Sequence, residues 1–92
     1  MDSQEVVIVN RQGLHARPAT QFVETANRYA SRVTVFKDNT RVNGKSVMEM
    51  MLLDAEQGTT LRIEAEGEDA GECLAALAEV VRRFDENAGQ KR

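Results

Sequence analysis

The stretch Gly13-Leu14-His15-Ala16-Arg17-Pro18-Ala19 holds the only histidine and the only proline of the chain, three residues apart. It follows the apolar run Val6-Val7-Ile8-Val9 and precedes a segment of helical periodicity, so it reads as a strand-to-helix junction. Proline is tolerated in the first turn of a helix, where its missing N–H is not needed. His15 then stands at or just before that turn, where unpaired N–H groups and the positive end of the helix dipole gather. An imidazole so placed can act as a nucleophile, and the anion it would carry is a phosphoryl group. Arg17 is near enough in sequence to help hold that anion.

Working outward, Glu5 to Asn10 reads as a first strand and Asn10-Arg11-Gln12-Gly13 as the loop that follows. From Ala16 to about Tyr29 the positions Ala19, Phe22, Val23, Ala26 and Ala30 recur at helical spacing and predict one buried face. Val33 and Val35 alternate with polar neighbours in a second strand. Asp38-Asn39 turns the chain into Thr40-Arg41-Val42, a hairpin partner. Ser46 and Glu49 match the S-x-x-E capping box, so a short helix begins near Ser46. Six of the seven residues from Val47 to Leu53 are apolar, more than one buried face of two turns needs, which places some of them on the surface. Thr60 to Glu66 alternates, with Leu61, Ile63 and Ala65 inward and Arg62, Glu64 and Glu66 outward. A last helix spans about Asp69 to Phe84, with Leu74, Leu77, Ala78, Val81 and Phe84 on its core face and a capping box of Asp69 with Glu72. The order β-α-β-β-α-β-α is α+β, one antiparallel sheet with helices on one face.

Ninety-two residues suffice for one domain and are too few for two separate cores; order is expected over about 4–86, with the tail 87–92 fraying. Apolar residues at 41% and charged residues at 29% are those of an ordinary globular chain. No run approaches the ~18 apolar residues of a membrane span, and no signal segment opens the sequence, so a cytoplasmic location without membrane insertion is expected. The net charge is −3 and only 4% of residues are aromatic, which excludes a basic, base-stacking nucleic-acid surface. One histidine and one cysteine make no metal-ligand set, and no cofactor is expected. Cys73 reads as a small core or boundary residue.

The two motifs GLHARPA and, some thirty residues on, NGKSVMEMMLL resemble the HPr family, the histidine-containing phosphocarriers of the bacterial phosphotransferase system. The resemblance covers about residues 4–85 and includes the order of elements. It implies an open-faced β-sandwich, with a four-stranded antiparallel sheet covered by three helices on one side. It further implies that His15 accepts a phosphoryl group on Nδ1 from phosphorylated Enzyme I and passes it to an Enzyme IIA. The protein would then be a carrier with a phosphohistidine intermediate rather than an enzyme, and a monomer. Arg17 matches the arginine that contacts the phosphoryl group, with Ala16 and Pro18 beside it in the phosphate-binding turn. Ser46 matches the serine that an HPr kinase/phosphorylase modifies in many bacteria that have one. Val47, Met48 and Met51 match an apolar docking patch, and Leu14, Thr20 and Lys45 complete the expected partner-binding rim.

Ordinary roles fit some of the same residues. Taken alone, His15 is placed as a surface or capping residue, and Ser46 is fully accounted for as a helix N-cap. Glu49 sets a negative charge one turn from Ser46, at a position that is small in many kinase-regulated relatives. The segment KSVMEMMLLDAEQGT and the ending Phe84-Asp85-Glu86 look more like proteobacterial carriers, including the nitrogen-related branch. Sugar uptake and nitrogen or carbon regulation are both open as outputs. The alternative of another class is a regulatory binding module that controls an enzyme or transcription factor through the Ser46/Met48 surface.

Overall fold

Seven elements follow one another in the computed structural model, which describes residues 1–84. They are β1 (Asp2–Val7), α1 (Ala16–Ala26), β2 (Arg32–Lys37), β3 (Thr40–Asn43), α2 (Val47–Leu52), β4 (Thr60–Glu66) and α3 (Ala70–Arg82). The strands form one antiparallel sheet in the order β1-β4-β2-β3. All three helices pack on one side of it, so the architecture is the α+β open-faced sandwich expected.

The register of β4 explains how the sheet divides core from solvent. Leu61, Ile63 and Ala65 are buried beneath the helices, while Glu66 is exposed and Arg62 and Glu64 lie half-buried on the open face. Across the sheet Leu61 pairs with Val6 of β1, and Ile63 and Ala65 pair with Val35 and Val33 of β2. On the open face Arg62 stacks over the Phe36 ring, 4.2 Å from its centroid, and also pairs with Glu64. The hairpin turns at Asp38, whose φ of 53° is the left-handed conformation that short Asx side chains tolerate. Lys37, at the end of β2, donates to the carbonyls of Leu53 and Asp54 at 2.9 and 3.2 Å. A cation thus satisfies carbonyls left over at the C-terminal end of α2.

Several expected boundaries move. β1 starts at Asp2, ahead of both the expected strand start and the expected beginning of order, and its regular pairing ends at Val7. Within the apolar run only Val6 and Ile8 face the core; Val7 and Val9 are 48% and 38% exposed, as strand alternation requires. α1 stops at Ala26 rather than near Tyr29, and Ala30 is exposed instead of lying on the buried face. The Arg28 and Tyr29 N–H groups turn to carbonyls three residues back, on Thr25 and Ala26, and the chain beyond them is held from across the molecule. The Asp69 carboxylate accepts the backbone N–H of Ala30 at 2.9 Å and of Ser31 at 3.0 Å, together with the Ser31 hydroxyl. Those N–H groups would otherwise serve a continuing helix. Asp69 is therefore spent on this tether and makes no side-chain cap to α3, which corrects the expected capping box with Glu72.

The core collects the inward side chains of every element, with Phe22, Met50, Ile63, Leu77 and Cys73 entirely buried. Burial pushes the Cys73 thiol above its ordinary pKa, which suits an inert core residue. The tail 87–92, and the end of the expected ordered range at 85–86, lie outside the described residues.

Candidate functional site

Gly13 opens the site because of how tightly the chain turns there. Its φ is +77°, and a Cβ on it would stand 2.5 Å from the Ala55 carbonyl oxygen, so only glycine fits. The next residue, Leu14, donates its N–H to that same carbonyl at 2.8 Å. Ala55 follows closely on α2, so this contact fixes the loop before α1 beside the C-terminal end of α2, and α1 packs on α2 directly.

His15 is the N-cap of α1, with φ −99° and ψ −165°, and is half-buried. Its carbonyl receives the Ala19 N–H at 2.9 Å, but its side chain makes no cap, so the imidazole is free for other chemistry. Its own N–H is taken by the Gly13 carbonyl at 3.1 Å. The N–H groups of Ala16 and Arg17 have no acceptor among the described residues, and Pro18 has no N–H to satisfy. Two unpaired donors therefore directly follow His15, at the positive end of an eleven-residue helix. Arg17 is exposed and has no ion pair among the described residues, so its guanidinium is available to an anion. Pro18 is buried, while Thr20 is half-buried and bonds back to the Ala16 carbonyl at 2.8 Å.

α2 presents the second half of the expected surface. Ser46 is its N-cap, and its hydroxyl oxygen accepts the Glu49 N–H at 3.2 Å. The reciprocal half of the expected capping box is absent. Glu49 instead accepts the Asn43 N–H at 2.8 Å, and Ser46 N–H goes to the Asn43 carbonyl. Gly44 is forced by packing, since a Cβ there would meet Val33 Cγ1 at 2.4 Å. Met48, Met51 and Leu52 are 77%, 43% and 70% exposed, whereas Met50 is entirely buried. Val47 is half-buried against the core.

Three features depart from expectation. Leu14 is buried in the core, because its backbone is drawn in by Ala55, so its side chain has no surface to offer a partner. Lys45 is half-buried with its ammonium on the Tyr29 carbonyl at 2.7 Å, a brace between the α1–β2 connection and the lead-in to α2 rather than a free charge on the rim. Leu52 belongs to the exposed apolar face, although the expected docking patch leaves it out. Its signal lies in the spacing: Met48, Met51 and Leu52 stand at i, i+3 and i+4, one stripe of a helix. Among the described residues no cluster of His, Cys, Asp and Glu could hold a metal, and no helix is long and apolar enough to cross a membrane.

Fold and site together define a class: a small open-faced sandwich that presents one imidazole on a rim, backed by two free N–H groups and an arginine. Residues 2–83 match the family described as the PTS HPr component phosphorylation site, and the chain belongs to the HPr family of phosphocarriers of the phosphotransferase system. It is 46% identical over 88 residues to the phosphocarrier protein HPr of Pseudomonas aeruginosa, covering 94% of this chain and 98% of that protein. It is 44% identical over 81 residues to the HPr-like protein Crh of Bacillus subtilis, covering 88% of this chain and 95% of that one. A solved HPr structure from Thermoanaerobacter tengcongensis superposes with a TM-score of 0.88 at 41% identity, covering 94% of this chain and 97% of the other.

Proposed function

We propose that this chain takes a phosphoryl group onto Nδ1 of His15 from phosphorylated Enzyme I and passes it to an Enzyme IIA in the cytoplasm. The observation that carries the reading is the uncapped imidazole at the α1 N-terminus with the Ala16 and Arg17 N–H groups unpaired beside it. The Nδ1 lone pair attacks phosphorus, the N–P bond to His15 forms, and the bond to the donor nitrogen breaks. The equatorial oxygens then lie where the two N–H groups and the Arg17 guanidinium can stabilise them. A rim position lets donor and acceptor reach the same nitrogen in turn. The exposed stripe of Met48, Met51 and Leu52 is the docking surface, since flexible methionines adapt to more than one partner.

The test is incubation with Enzyme I and phosphoenolpyruvate. The wild-type protein should acquire one acid-labile, base-stable phosphoryl group, and His15→Ala none. Label persisting on His15→Ala would overturn the assignment. A second, regulatory reading is favoured by the similarity to Crh, a solved structure of which is described as a catabolite repression protein. In that reading a kinase phosphorylates Ser46 and the α2 surface controls a target. Treatment with an HPr kinase and ATP separates the two, since Ser46 label is acid-stable. We take the working form as a monomer; a Crh structure is described as a swapped dimer, and sedimentation equilibrium of this chain distinguishes the two states.

A further inference from the structure

Gly13 poses a problem that the site must solve. Close approach to Ala55 forces a glycine, and glycine brings backbone freedom to the residue two before the nucleophile. Asn10 removes that freedom. Its backbone carbonyl accepts the Gly13 N–H at 3.1 Å, and its side-chain Nδ2 donates to the Gly13 carbonyl at 2.7 Å. Both peptide planes flanking Gly13 are therefore held by one residue. The second plane is pinned at its other end as well, by Leu14 N–H on the Ala55 carbonyl at 2.8 Å. The Gly13 carbonyl so fixed is the acceptor of the His15 N–H.

Asn10 is 2% exposed, and its Oδ1 is buried with no hydrogen-bond partner among the described residues. A buried acceptor without a donor opposes stability, which partly cancels the gain from Nδ2. A side chain buried here with one polar atom unpaired and the other on the Gly13 carbonyl serves geometry.

We propose that Asn10 is a positioning residue for phosphoryl transfer, acting through the Gly13 carbonyl to hold the His15 N-cap and its neighbouring N–H groups in register. This rests on the phosphocarrier reading above. Transfer is governed by placement of nucleophile and donors, so small displacements reduce the rate while docking elsewhere is untouched.

The experiment measures steady-state transfer from Enzyme I for wild type, Asn10→Ala and the near-isosteric Asn10→Asp, whose ionised carboxylate cannot donate to Gly13. Both variants should lose about tenfold or more in kcat, with KM for Enzyme I within about twofold because the α2 surface is intact. Amide hydrogen exchange at Leu14 and His15 should quicken while the rest of the protein keeps its protection. Ser31→Ala, which loosens the Asp69 tether instead, serves as a destabilised control and should transfer at the wild-type rate. Wild-type kcat in Asn10→Ala, or a loss that appears only in KM, would overturn the role. So would an equal loss in Ser31→Ala, which would make the effect one of general stability. Failure of wild type itself to take label on His15 would overturn the phosphocarrier reading, and this role with it.

Discussion

Arg17 shows how a single residue differs from its neighbours in purpose. It is exposed, it has no ion pair among the described residues, and it is the second residue of α1. Among the described residues none uses its charge. Arg17→Lys keeps that charge and discards the planar multi-donor head, so transfer from Enzyme I should slow roughly tenfold while thermal stability stays near wild type. Unchanged rates in both directions would show that the Ala16 and Arg17 N–H groups suffice. The placement of His15 and Arg17 at a helix start is legible in the sequence, because one histidine, one proline and their spacing mark it. Asn10 is not: its side chain acts on a carbonyl three residues away, and only the folded loop brings the two together.

Among the elements, α2 depends most on its cap. It has only six residues, so a cap is a large share of what fixes its start. Ser46→Ala removes the Oγ acceptor of the Glu49 N–H and should cost ~1 kcal/mol in urea denaturation while leaving transfer largely intact. Ser46→Asp keeps a cap and adds charge near the docking surface, so it should slow transfer without unfolding the helix. The exposed stripe behaves differently. Met48 is 77% exposed, so Met48→Glu should change the melting temperature little and weaken Enzyme I binding at least about tenfold, as loss of a buried interface anchor does. Unfolding as the main result would place Met48 in the core instead.

Across the whole molecule, the Asp69 tether joins the start of α3 to the lead-in of β2. The hydrogen bond from the Ser31 hydroxyl, followed by that from the Ala30 N–H, holds the Asp69 carboxyl below its ordinary value of 3.8. A carboxyl whose pKa is depressed on folding stabilises the native state above its unfolded value, and that contribution is lost as pH falls through the folded one. Wild type should therefore exceed Asp69→Asn in stability near neutral pH and converge on it in acid below 3.8, in urea titrations at several pH values. A constant gap between the two across that range would show that the carboxylate charge contributes nothing.

Element order, the alternation of β4 and the turn at Asp38 were all set by local pattern, because strand alternation and turn chemistry depend on residues adjacent in the chain. So was the start of α1, where proline and its neighbours act within one turn. What the tertiary structure alone decided were the features that depend on distant partners. The exit from α1 is fixed where Asp69 takes the Ala30 and Ser31 N–H groups. Lys45 turns inward because the Tyr29 carbonyl is within reach, and Leu14 is buried because Ala55 receives its N–H. In each case a polar group had two ways of being satisfied, and the choice lay with a residue brought near only by folding.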